Sequence, residues 1–187
     1  MKKKMGRISK IAGNKDRIAI YVRKNESFWI LDNRGKILEK ISKRGKGPGE
    51  YNGVAYITFS PAGNLVLVDP AKRVLLEYSL EGSLVRELNI SGNFETVEYL
   101  GRKTLVFGSY RVQDKEQVPG NYVNIFNLDY VLEKQLLTFY TSWPMGGIAP
   151  DLIRRGNKIG ITKVGDYNYY ELDTEDNPVL IFFTLGK

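Results

Sequence analysis

Lys43-Arg44-Gly45-Lys46-Gly47-Pro48-Gly49-Glu50-Tyr51 is the stretch from which the chain is best read. Three glycines and a proline fall within five residues, between two segments of strand character. Glycine frees the backbone and proline removes an N–H donor, so this run suits neither a helix nor a paired strand. It reads as a corner, and similar sets of short apolar runs lie on both sides of it.

Before the corner these runs are Ile8–Ala12, Arg17–Val22, Ser27–Leu31 and Lys36–Ile41. After it come Val54–Phe59, Leu65–Val68, Val74–Tyr78 and Leu84–Leu88. A third set spans Phe94–Leu100, Thr104–Tyr110, Tyr122–Asn127 and Leu132–Phe139, with a polar loop at Gln113–Gly120. A fourth spans Asp151–Arg154, Lys158–Val164, Asn168–Leu172 and Val179–Phe183. Asn, Asp, Gly and Pro separate the runs, which is the strand-and-turn signature. No window sustains an apolar period of 3.6 residues, so the expected fold class is all-β.

The sets are repeats. Leu31-Asp32-Asn33-Arg34-Gly35-Lys36-Ile37 is matched by Tyr78-Ser79-Leu80-Glu81-Gly82-Ser83-Leu84 and by Phe126-Asn127-Leu128-Asp129-Tyr130-Val131-Leu132. A fourth copy begins at Leu172-Asp173. The first position recurs at intervals of 47, 48 and 46 residues. A period in the forties with four short strands per repeat fits a β-propeller blade, a small twisted sheet that must stack on its neighbours. The expected blades cover approximately 8–42, 53–90, 93–140 and 148–185, within a single domain over 1–187. Even spacing further predicts that Ile37 and Ile41, Leu84 and Leu88, and Leu132 and Leu136 each share one strand face.

Composition narrows the chemistry. The sequence has no Cys and no His. Thiol nucleophiles, disulfides and the commonest general base and metal ligand are therefore missing. Any general base would have to be Asp, Glu, Lys or Tyr. The net charge of +7 is uneven: residues 1–47 hold fifteen Lys/Arg against four Asp/Glu. The expected role of this excess is a solvated edge with weak, salt-sensitive retention of polyanions. No basic run is interleaved with the aromatic motif of an RNA-binding sheet, so nucleic acid is not the expected partner. Met1-Lys2-Lys3-Lys4 resembles a secretory n-region, but no apolar h-region follows and no run reaches membrane-span length. Taken alone, the chain reads as soluble and without an export signal.

Gly45-Lys46-Gly47-Pro48-Gly49-Glu50-Tyr51 following Ile37-Leu38-Glu39-Lys40-Ile41 resembles a family of six-bladed β-propellers, relatives of NHL-repeat proteins, common in gut-dwelling bacteria. There a strand ending in such a corner opens the next blade. Leu65–Asp69 and Leu76–Gly82 are similar to that next blade, and Tyr169, Tyr170, Pro178 and Phe183–Lys187 to a later one. The resemblance implies a propeller with no established activity, usually in the cell envelope behind an export or lipoprotein signal. About four repeats are present where the family ring takes six. The expectation is therefore part of a ring: an open arc that associates through exposed end blades, including homo-oligomers, or a closed four-bladed ring.

Four constellations bear on function. Gly45-x-Gly47-x-Gly49 suggests a phosphate cradle, but a strand follows it where a phosphate loop needs a helix N-terminus. The corner reading has Glu50 capping free N–H groups and Tyr51 packing over them. Asp32, Asp69, Asp129 and Asp173 sit at strand ends, where carboxylates either close Asx turns or converge on a metal as in calcium-dependent propeller lactonases. Turns are the expected role. Tyr167, Tyr169, Tyr170 and Trp143 are a candidate stacking patch, with packing between blades as the expected role. Trp143-Pro144-Met145-Gly146-Gly147 reads as a second corner.

These features point to a non-enzymatic binding or interaction module that offers one face to a protein or glycan. Arg44, Lys46, Glu50 and Tyr51 are the candidate binding residues. No catalytic residue, metal or cofactor is expected. The alternative is a lactonase-like, metal-dependent propeller hydrolase using axial carboxylates.

Overall fold

The computed structural model describes residues 6–90, 94–101, 104–109, 120–139, 151–155, 158–162, 168–173 and 179–184. They form sixteen strands in four antiparallel sheets, each in meander order. The first sheet is β1 (Ile8–Gly13), β2 (Arg17–Val22), β3 (Ser27–Asp32) and β4 (Ile37–Ile41). The second is β5 (Tyr56–Phe59), β6 (Leu65–Asp69), β7 (Val74–Tyr78) and β8 (Leu84–Asn89). The third is β9 (Phe94–Leu100), β10 (Thr104–Ser109), β11 (Gly120–Asn127) and β12 (Leu132–Phe139). The fourth is β13 (Asp151–Arg155), β14 (Lys158–Thr162), β15 (Asn168–Asp173) and β16 (Val179–Thr184). No helix among the described residues is long and apolar enough to cross a membrane. The loop residues Gln113–Pro119, the second corner at Trp143–Gly147 and Tyr167 lie outside the described residues.

The chain divides into two compact units, Met1–Ile90 and Ser91–Lys187. In the first, β1 of one sheet runs beside β5 of the other. One apolar cluster joins the two sheets: Ala19, Phe28, Ile30 and Ile41 from the first, Ile57, Phe59, Leu65, Leu67, Val74, Leu76 and Tyr78 from the second. Tyr51 of the corner belongs to the same cluster. The other face of the first sheet buries Ile20, Val22, Trp29 and Leu31. β2 and β3 are thus apolar on both faces, as inner strands of a stacked sheet must be. The outermost strands β4 and β8 are largely exposed. In the second unit β9 runs beside β13 in the same way. Its buried side chains include Val97, Leu100, Val123, Ile125, Leu152 and Ile161.

The repeat extends to individual hydrogen bonds. Asp32 N–H donates to Lys36 O and Gly35 N–H to Asp32 O; Ser79 and Gly82 do the same in the second sheet, and Asn127 and Tyr130 in the third. In each copy a side-chain oxygen at the first position accepts from the N–H four residues on: Asp32 Oδ1, Ser79 Oγ and Asn127 Oδ1. The fourth turn residue is left-handed, with φ of 81° at Gly35, 82° at Gly82 and 61° at Tyr130. Tyr130 adopts this strained conformation with its ring stacked on Phe126 at 4.4 Å.

One expectation is overturned by this geometry. Register shifts occur at equivalent places in three sheets, so Ile37 pairs with Leu31 but Ile41 with Phe28, and Leu84 with Tyr78 but Leu88 with Leu75. Leu132 likewise pairs with Phe126 and Leu136 with Val123. A β-bulge inserts one residue and reverses the facing of everything after it. The paired apolar positions therefore lie on opposite faces, and Ile37, Leu84 and Leu132 are exposed.

Two glycines allow the cost of the left-handed turn to be separated from packing. At Gly63 (φ 85°) an added Cβ meets nothing within 4 Å, whereas at Gly82 (φ 82°) it lies 3.2 Å from Ile41 Cγ1. Urea denaturation is expected to show Gly63→Ala destabilised by about 1 kcal/mol and Gly82→Ala by about 2 kcal/mol. Equal losses would mean that Ile41 yields without cost.

Candidate functional site

The corner is a dense hydrogen-bonded joint. Gly45 N–H donates to Tyr51 O at 2.9 Å and Tyr51 N–H to Lys43 O at 3.0 Å. Residues 44 and 51 thereby form an isolated parallel bridge. Inside this loop Glu50 Oε2 accepts from Gly47 N–H at 2.9 Å. The carboxylate sits where a side chain at residue 45 would be, for a Cβ there would lie 1.9 Å from Glu50 Oε2. Gly45 is glycine because of this close approach. Gly49, at φ 67°, donates to Glu87 Oε2 of β8 at 2.7 Å. The N–H groups of all three glycines are thus taken by protein oxygens, and no phosphate cradle remains.

The turns of both sheets close on the corner. From the β6–β7 turn, Lys72 Nζ donates to Gly47 O at 2.9 Å and Glu50 O at 2.7 Å. Asp69 is fully buried; its Oδ2 accepts from Asn52 N–H at 2.6 Å, and its Oδ1 from Ala71 and Lys72 N–H in its own turn. From β7, Tyr78 OH donates to Gly49 O at 2.7 Å. From the β2–β3 turn, left-handed Glu26 (φ 47°) offers its carbonyl to Tyr51 OH at 2.5 Å. The Tyr51 ring meets Phe28 edge-on at 5.1 Å and Tyr21 at 6.4 Å.

The four residues predicted from sequence divide into two pairs. Glu50 and Tyr51 point inward and hold the joint. Arg44 and Lys46 are exposed on its outer surface, with Arg44 in an ion pair with Glu26. Exposed pairs of this kind add little stability, so the guanidinium remains free to exchange partners. Lys72, Glu87, Tyr78 and Glu26 complete the joint and carry no local sequence signal. They are brought in by strands and turns distant in sequence.

Of the four strand-end aspartates, Asp32 and Asp69 take the expected role of closing their own turns, and Asp129 does not. Asp32 Oδ1 accepts from Arg34 and Lys36 N–H in its own turn. Its counterparts by repeat are Ser79 and Asn127, not Asp69 or Asp129. Asp129 is exposed, and its turn is closed by Asn127 Oδ1, which accepts from its N–H. Among the described residues no three acidic side chains come together as a metal site. Tyr169, Tyr170 and Asp173 fall on β15, and the roles of their side chains lie outside the described residues.

The comparisons with known proteins agree with this architecture. A model of the six-bladed β-propeller family DUF5128 matches residues 2–142, and the chain belongs to that family. No curated protein matches it by sequence. Among solved structures it is similar to a Bacteroides fragilis protein provisionally named as exported (TM-score 0.74, 17% identity, covering 96% of this chain and 50% of that one). It is also similar to a member of the DUF4221 family from Bacteroides vulgatus (TM-score 0.69, 11% identity, covering 98% and 59%). A third likeness is to virginiamycin B lyase from Staphylococcus aureus (TM-score 0.57, 15% identity, covering 98% and 57%). The chain spans half to three-fifths of the length of these structures, and at such identities they share its fold.

Two outcomes follow from the joint. Gly45→Ala must expel the Glu50 carboxylate and leave the Gly47 N–H without its partner. The expected loss is about 1–3 kcal/mol in urea denaturation; a loss under about 0.5 kcal/mol would show the loop adapts freely. The second concerns pH. Burial pushes the Tyr51 phenol up from 10.0 to about 12. Burial also raises Tyr78. The neutral phenol is the form the fold favours. Its contribution is therefore complete below pH 10 and fades as pH rises from 10 through about 12. Melting temperature should fall over this interval less steeply in Tyr51→Phe; identical slopes would rule out Tyr51 as a source of the loss.

Proposed function

We propose that this chain is a non-enzymatic propeller binding module whose corner face receives a protein or glycan. The observation that carries the reading is the division of the corner residues. Glu50 and Tyr51 are spent on fixing the loop, while Arg44 and Lys46 stand exposed on that fixed base. A rigid support lowers the ordering cost of binding, and exposed cations on it favour carboxylate-bearing or hydroxyl-rich partners. The buried Asp69 and half-buried Glu50 carboxylates are each bound to backbone N–H groups, which suits support better than turnover. By analogy with the Bacteroides fragilis neighbour, the reading extends to an envelope or secreted location.

Arrays of glycans and of bacterial envelope proteins, probed with the intact chain, test this. The expected outcome is at least one bound partner that Arg44→Glu with Lys46→Glu releases while circular dichroism stays unchanged. Chemical conversion of the bound partner by the chain would overturn the non-enzymatic reading. Partners indifferent to the double charge reversal would remove the corner face from it.

A further inference from the structure

Successive strands of a meander run in opposite directions, so the turns of the first unit fall at two ends. The corner shares one end with the β2–β3 and β6–β7 turns. The β1–β2, β5–β6 and β7–β8 turns share the other, and there they border an open cleft of about 500 Å³ lined by Asn14, Asp16, Arg17, Asn64, Leu80 and Glu81 among others. This volume falls within the usual range for small-molecule sites.

The cleft wall is prearranged. Asn14 Oδ1 accepts from both Asp16 N–H and Arg17 N–H, at 2.9 and 2.8 Å, which fixes the turn independently of the other side chains. Arg17 Nη1 donates to Asp16 O at 2.9 Å, anchoring the guanidinium at the rim. Its Nε is buried without a hydrogen-bond partner. A buried donor without a protein partner is uncommon in a folded protein, and this one lies beneath the cleft wall rather than open to it. Across the cleft Asn64 Nδ2 donates to Glu77 Oε1 at 2.9 Å, which orients its amide. Among the described residues no hydrogen bond engages the Asp16 carboxylate.

The lining specifies a chemical class. Arg17 only donates, Asp16 and Glu81 only accept, and the amides of Asn14 and Asn64 do both. A partner must present donors and acceptors on adjacent atoms and carry little charge. A polyanion would face two carboxylates, and a lysine side chain would face the guanidinium. Neighbouring hydroxyls, each donor and acceptor at once, satisfy the whole set, and the C–H face of a sugar ring has Leu80 to lie against. We propose that this cleft binds a neutral oligosaccharide. It rests on the binding-module reading in its general form but not on the corner face, which lies at the opposite end of the unit.

Saturation-transfer NMR and calorimetry on the whole chain test it, with neutral di- and trisaccharides of glucose, galactose and mannose as probes and trilysine as comparator. At least one saccharide should bind. Asp16→Ala, which leaves the Asn14-held turn intact, and Glu81→Ala should each weaken it about tenfold, the loss of a charge-assisted hydrogen bond. The proposal is overturned if no saccharide binds, if binding ignores Asp16→Ala and Glu81→Ala, or if trilysine binds in place of sugars. Failure here with a corner-dependent partner still captured on arrays would remove the cleft alone. Failure of both would remove the binding module.

Discussion

The Glu50 carboxylate occupies the space that a side chain on Gly45 would fill, and the first unit is assembled around that substitution of one residue's side chain for another's. A loop of nine residues must reverse direction, leave one sheet and open the next. Its backbone donors would otherwise be buried without partners, which is costly. Glu50 answers one from within the loop, and Glu87 and the Tyr51 carbonyl answer the others. Each requires close approach of chain to chain, which glycine alone permits at Gly45 and Gly49.

The joint also explains how two sheets with little shared backbone become one unit. Tyr51 carries its ring into the inter-sheet cluster and its hydroxyl to the β2–β3 turn. Lys72, Asp69 and Tyr78 bring the second sheet to the same loop. Packing supplies most of the stabilisation, since apolar burial scales with area. The polar contacts supply register: they determine which turn meets which. The structural consequence is a hydrogen-bonded end carrying exposed Arg44 and Lys46, and a separate end where three turns leave a polar cleft.

The strands were legible because inner strands are continuous apolar runs and turn residues punctuate them. β2, β7, β9 and β12 match the residues expected from sequence, and the others differ by a few residues at their ends. The corner was legible because no regular element accommodates its glycine spacing. The bulges were not: an inserted residue leaves no compositional trace, and Leu38, Val85 and Glu133 look like ordinary strand residues. The aspartates were legible in part. The repeat position asks for a short oxygen-bearing side chain, and Asp32, Ser79 and Asn127 fill it equally well. Asp69 closes its own turn as expected, whereas Asp129 stands in a turn that Asn127 closes. The partners of the corner, Lys72 and Glu87 above all, come from distant strands. The cleft had no signature, because it is made by three turns that only the meander brings together.

Amide hydrogen exchange resolved to single residues tests most directly whether the corner is the structural joint of the first unit. The N–H groups of Gly45, Gly49 and Tyr51 should exchange as slowly as those of the inner strands β2, β3, β6 and β7, opening only with the unit as a whole. Exchange at the rate of the exposed Ala62 N–H in the β5–β6 turn, with the inner strands still protected, would contradict it.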